Sequence, residues 1–272
     1  MYRRLFTTCT LLLLILLMST AGCSSSPVND TGKTVTVTTI APEKPGSAGE
    51  VKVSSSPSVS HAPNITEQLA SIQSDNPVWR EAYRMFRNIR STEYVHPPYT
   101  DDDAAGIYRF DCLGFVDHVL MNSAPDSYKA IGKGVNPSIE SYSAYFAKLD
   151  VSVPNSLGWI KVARPADLKP GDVCLWLKPS TLDTGHMWII AGMPSVNPKR
   201  DNELLVRIFD STGTAHGDDS RTIATDKTGL GSGIIGFMTD GQGDPIGLYW
   251  EGAASTGSGE KDTTIICGRL NK

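Results

Sequence analysis

The twelve residues from Arg109 to Leu120 (RFDCLGFVDHVL) set a cysteine between an acidic residue and an apolar run. They constrain the fold more than any other stretch of the chain. Phe115, Val116, Val119 and Leu120 recur at helical spacing. Asp111 is a good N-cap type, so Cys112 is expected in the first turn of a helix with one buried face. At such a position the positive end of the helix dipole favours a thiolate over a thiol. With a histidine nearby, the cysteine pKa falls from about 8.5 to roughly 3.5–7.5. That is the chemistry of a nucleophile. The competing reading is a buried structural cysteine, a common fate of this residue type.

A nucleophilic thiol needs a base, and the downstream strands offer one. Leu168-Lys169-Pro170-Gly171-Asp172 reads as a turn, and Val173 to Leu177 as the strand after it. Gly185-His186-Met187-Trp188-Ile189-Ile190-Ala191-Gly192 reads as the return strand, with His186 at its start. Leu204 to Thr212 is a third strand that carries Asp210 near its end. Asp210 also suits a turn cap with Ser211, Thr212 and Gly213. His216, in the next loop, is a fallback partner, although a histidine in a Gly- and Asp-rich loop is usually exposed. His118, six residues after Cys112, points away from it around the helix. His96 reads as a loop histidine and His61 as part of a polar tether.

The rest of the chain frames this region. Residues 1–22 read as a signal peptide, with Arg3 and Arg4 ahead of a short apolar core, Leu11 to Met18. Residues 23–74 are poor in large apolar side chains and rich in Ser, Thr, Pro and Gly, the composition of a flexible tether. The folded domain is placed at 75–272. There Asn76-Pro77 opens a helix along Val78, Trp79, Ala82, Met85, Phe86 and Ile89. Ser91 to Gly106 and Ser123 to Gly134 read as loops. Asp101, Asp102 and Asp103 read as a solvated loop, with cation binding as the alternative. Ser138 to Leu149 reads as a helix. Trp159 to Val162, Gly233 to Thr239, Ile246 to Trp250 and Thr263 to Leu270 read as strands. The formal net charge is −4, with no basic patch and no run of like charges, which argues against nucleic acid as a partner.

Several motifs together resemble a known family. Asp111-Cys112-Leu113-Gly114-Phe115-Val116, Leu168-Lys169-Pro170-Gly171-Asp172-Val173 and Gly185-His186 ahead of an apolar strand occur in the order seen in NlpC-type cell-wall cysteine peptidases. The resemblance spans roughly residues 76–272. It implies an α+β, papain-like domain with N-terminal helices packed on an antiparallel sheet. It also implies thiol acyl transfer, with Cys112 as nucleophile, His186 as base, Asp210 orienting the imidazole and the Cys112 backbone amide in an oxyanion hole. The site residues expected against substrate are Asp111 and Tyr94, with Tyr99 as the second choice of tyrosine. No cofactor or metal is implied. Leu113 stands where the family has serine, Asp210 where histidine is commoner, and the usual glycine pair before the cysteine is replaced by a longer loop.

Ser19-Thr20-Ala21-Gly22-Cys23 resembles a bacterial lipobox, although Thr20 departs from the commonest leucine. This implies lipidation of Cys23 and a membrane anchor, in the outer membrane facing the periplasm if the source is Gram-negative. An ordinary signal peptide is the alternative. The expected partner is the peptide of peptidoglycan. An acyl transferase, an amidase on another amide, or a catalytically silent wall-binding lipoprotein are the other readings. Cys174 and Cys267 lie in strand-like runs of an exported chain, and a disulfide and two buried thiols are both open.

Overall fold

A computed structural model describes residues 64–133, 136–178, 185–261 and 263–271. The signal peptide, the lipobox with Cys23 and most of the tether lie outside the described residues. The folded body begins earlier than residue 75. Helix α1 (Ile65–Ala70) opens on a capping box, in which the Asn64 side chain accepts from the Glu67 amide and Glu67 accepts from the Asn64 amide. Ile65 and Leu69, four apart on one face, are buried in the core. The tether reading fails here because two well-placed apolar residues and a cap are enough once a body exists to receive them.

Helix α2 (Pro77–Asn88) starts as its sequence requires. Pro77 sits in the first turn and the Asn76 side chain accepts from the Val78 and Trp79 amides. Val78, Trp79, Ala82 and Met85 are buried, and the Trp79 indole donates to the Ala191 carbonyl at 2.9 Å. The stretch read as a loop, 91–106, instead carries strands β1 (Ser91–Tyr94) and β2 (Thr100–Asp102). With β3 (Ile107–Phe110) they form a small sheet in the order β1-β3-β2. Its members are only 3 or 4 residues long, too short for a periodic signature. Asp103 is held by Arg84 (2.9 Å) and the Tyr108 hydroxyl (2.6 Å), so it serves an ion pair.

Helices α3 (Cys112–Ser123), α4 (Pro125–Gly132) and α5 (Ile139–Phe146) follow. The second overturns the loop read at 123–134: Pro125 opens it, and Tyr128 and Ile131 bury one face. All three pack on one face of a large antiparallel sheet whose strand order is β11-β10-β9-β8-β6-β5-β12-β4, with β7 paired to β8. Its members are β4 (Trp159–Val162), β5 (Val173–Leu177), β6 (Gly185–Ile190), β7 (Ser195–Asn197), β8 (Arg200–Thr212), β9 (Gly229–Thr239), β10 (Pro245–Tyr249), β11 (Glu260–Lys261) and β12 (Thr264–Leu270). One further short helix, α6 (Ser220–Ile223), lies between β8 and β9. The fold is therefore α+β with helices on an extensive antiparallel sheet.

Strand alternation divides the core. Val173, Leu175, Met187 and Ile189 join the helix-side cluster. Cys174, Trp176, Trp188 and Ile190 join a second cluster with Val206, Ile208, Ile235 and Phe237. Cys174 and Cys267 are directly opposed on β5 and β12 and form a disulfide, which closes the question left open by their sequence. The Pro170-Gly171-Asp172 turn is a structural device. Gly171 has φ +95°, and a Cβ there would lie 2.4 Å from the Asn76 side-chain oxygen. Asp172, fully buried, takes two bonds from Arg269 on β12, each 2.8 Å. Among the described residues, no helix is long and apolar enough to cross a membrane.

Asp117 lies on α3. It is buried, and the Tyr142 hydroxyl donates to it at 2.6 Å. Burial pushes its carboxyl up to about 7, only partly opposed by that hydrogen bond. A folded-state value above the unfolded one means that the folded form holds an extra proton between roughly pH 4 and 7. Stability therefore falls as pH rises through that window. Asp117→Asn is expected to match the wild type in urea unfolding near pH 4. At pH 8.5 it should be more stable by about 2 kcal/mol. Equal stability of the two at pH 8.5 would refute this.

Candidate active site

The cysteine helix is held at its start by Asp111. Its Oδ1 accepts the Gly114 amide at 2.8 Å and the Tyr99 hydroxyl at 2.8 Å, while Oδ2 lies 3.1 Å from His96 Nδ1. Both oxygens are thus occupied within the protein. Asp111 is the cap that fixes the helix start. Tyr99 packs on Gly114, where a Cβ would come within 2.6 Å of its ring, so it too supports the helix from behind. Cys112 follows in the first turn. It is buried to 8 % exposure and is the free cysteine of the described residues. The first amides of a helix have no carbonyl within it, so they are available to an anion at this point.

His186 is the second residue of β6, after Gly185, which opens the strand with a φ of +143°. Its Nε2 lies 2.7 Å from Asp210 Oδ2, and its ring also hydrogen-bonds the Cys112 side chain, which leaves Nδ1 for the sulfur. Burial by itself would lower the imidazole pKa, but the Cys112 thiolate charge and the bonds to Asp210 and Cys112 outweigh it and raise it to about 10. Since this folded value exceeds the ordinary one near 6.5, the stabilisation is complete below that pH and is lost as pH climbs toward 10. Asp210, on β8, is fully buried. The penalty of burying its charge is overcome by Arg221, His216 and His186, which hold it well below the ordinary carboxylate range. Ser211 Oγ donates to the Phe110 carbonyl at 2.7 Å, tying the end of β8 to the residue just before Asp111. Cys112, His186 and Asp210 are therefore brought together.

His216 differs from its sequence reading. It is buried at 4 % exposure instead of exposed, and its Nε2 lies 2.8 Å from the same Asp210 oxygen that His186 uses. Sequence reasoning also missed Arg221 and Asp219. Arg221 is 1 % exposed and donates to Asp210 Oδ1 at 2.9 Å and Asp219 Oδ2 at 2.7 Å. One signal was present, the glycines of the Gly229-Leu230-Gly231-Ser232-Gly233 run at the start of β9. A Cβ at Gly231 would meet Arg221 Nε at 2.9 Å, and one at Gly233 would meet Asp219 Oδ2 at 2.6 Å. These glycines make room for the charged cluster.

His186, Asp210 and His216 are ligand types whose donor atoms lie within 4.8 Å of one another. Their separations do not suit a cation. Tetrahedral bonds of about 2.1 Å keep ligand atoms about 3.4 Å apart, whereas the two N–O distances here are 2.7 and 2.8 Å. A cation would also sit beside the Arg221 guanidinium. The arrangement is a hydrogen-bonded chain.

A cleft of about 490 Å³ opens at His186, walled by Tyr94, Trp176, Thr212, Thr214 and Trp250. Tyr94 thus forms part of the cleft wall. Lys178 and Glu260, paired at 2.7 Å, stand at its rim. The Trp250 ring meets His186 edge-on at 5.0 Å between centroids. Comparison with protein-family models, curated proteins and solved structures finds no match for this chain.

Proposed function

We propose that this chain is an exported, lipid-anchored cysteine amidohydrolase of the NlpC type, with a papain-like domain, that cleaves an amide bond in the peptide of peptidoglycan. The observation that carries the reading is the contact of Cys112, in the first turn of a helix, with an imidazole whose other nitrogen is held by an ionised, buried carboxylate. Export and anchoring rest on Arg3, Arg4, the apolar run and the small residues before Cys23. The aromatic walls and charged rim of the cleft suit an extended peptide bearing charged groups.

The chemistry follows from the arrangement. The Cys112 sulfur attacks the amide carbonyl carbon, and the oxyanion forms beside the first helical amides. His186 Nδ1–H passes its proton to the departing amine nitrogen, leaving a thioester on Cys112. Water then attacks the thioester carbon while His186 takes its proton. The carboxylate leaves, and the proton returns the thiolate–imidazolium pair. Asp210 keeps the second ring nitrogen protonated and the ring aimed throughout.

The test compares the full chain in detergent micelles with Cys112→Ala. Each is incubated with purified peptidoglycan and defined stem peptides, and products are read by mass spectrometry. Fragments are expected from the wild type alone. With no fragments, a rapidly alkylated Cys112 would point to an amide outside the wall. An unreactive Cys112 would end the enzymatic reading in favour of a binding lipoprotein.

A further inference from the structure

The groups behind His186 form a continuous buried chain. Asp210 Oδ2 is shared between His186 Nε2 at 2.7 Å and His216 Nε2 at 2.8 Å. The other nitrogen of His216, Nδ1, lies 3.0 Å from the Trp250 carbonyl oxygen. A carbonyl oxygen only accepts, so Nδ1 must carry a hydrogen. A carboxylate also only accepts, and Arg221 on Oδ1 keeps Asp210 ionised, so Nε2 must carry one too. A ring with hydrogens on both nitrogens is an imidazolium. The same ring is clamped through its backbone, whose amide donates to Asp219 Oδ2 at 2.7 Å, and it packs against the Trp250 ring at 4.2 Å.

We infer that His216 is a standing imidazolium and a positioning residue of the active site, which together with Arg221 holds Asp210 against His186. This rests on the proposed thiol chemistry of the same site. Charge balance supports it. His216 and Arg221 face Asp210 and Asp219, two against two, in a region from which water is largely excluded. The charged groups around His216 are Asp210 from β8, His186 from β6, and Asp219 and Arg221 from the α6 segment. Sharing one oxygen between two imidazoliums also moderates the hold of Asp210 on His186. The His186 ring then remains acidic enough to give its proton to a departing amine.

The experiment needs no substrate, so it stays readable if the peptidoglycan reading fails. Nitrogen-15 spectra of histidine-labelled full chain in micelles are recorded from pH 5 to 9, with His216→Gln used for assignment. At pH 7 His216 is expected to carry a hydrogen on each ring nitrogen. A neutral His216 tautomer at pH 7 would overturn the inference. The second readout is the pH profile of Cys112 alkylation by iodoacetamide. Glutamine keeps a donor for Asp210 but removes a positive charge whose ring centre lies 6.2 Å from that of His186. Loss of that charge disfavours the thiolate and favours the His186 imidazolium, so both limbs of the profile are expected to move to higher pH by about one unit. An unmoved profile in a folded His216→Gln protein would mean a merely structural residue and would refute the role.

Discussion

Asp210→Ala is expected to abolish turnover for practical purposes, by about 10³–10⁴-fold, and to lower folding stability by about 3–5 kcal/mol. The two losses share one origin. Asp210 is fully buried and accepts from His186, His216 and Arg221. Its removal leaves Arg221 with Asp219 as its one carboxylate partner and leaves His216 Nε2 without its acceptor, deep in the protein. His186 loses both the hydrogen bond that orients it and the charge that favours its protonated form. Urea unfolding at pH 7 measures the stability loss, and the rate of Cys112 alkylation reports the loss of site chemistry without knowledge of the substrate. Wild-type values for both would remove Asp210 from the machinery. A stability loss with unchanged thiol reactivity would confine it to a structural role.

The second large effect concerns the disulfide. Cys174 and Cys267 are 93 residues apart in sequence, and both are buried. Closing so long a loop restricts the unfolded chain by about 4–5 kcal/mol at room temperature. Replacing both cysteines by alanine is therefore expected to lower the melting temperature by about 10–15 °C for a domain of this size. The active-site thiol is unaffected by the change, since Cys112 lies outside this pair. Thermal melts with and without reductant, on the wild type and the double variant, check it. A wild type whose melting is unmoved by complete reduction would show that the bond adds nothing to stability.

Elements with a local code were legible from the sequence. The start of α2 is written in Asn76-Pro77, that of α3 in Asp111, and the strands β4, β5, β9, β10 and β12 in short apolar runs between turn residues. What was missed has a consistent physical reason. Strands β1 and β2 have little periodicity of their own, and their order depends on long-range partners: the Thr92 amide donates to Asp226, and Thr92 Oγ1 accepts from the Leu230 amide. Helix α4 was hidden by a short, Pro-led segment that becomes a helix because Tyr128 and Ile131 find the core. Helix α1 is hidden in the tether composition because its two buried residues carry too small a signal by themselves.

The sequence by itself determined the cysteine at a helix start, the histidine at a strand start, the acidic residue at the end of another strand, and the α+β order that carries them. Each is a local matter of caps, turns and alternation. Only the tertiary structure decided what stands behind Asp210. A Gly- and Asp-rich loop containing His216, Asp219 and Arg221 has the composition of an exposed connection, and nothing local marks it otherwise. It becomes a buried ionic network because the side-chain-free faces of Gly231 and Gly233 leave space beside β8, and because the carboxylate already there is costly to bury without cationic partners.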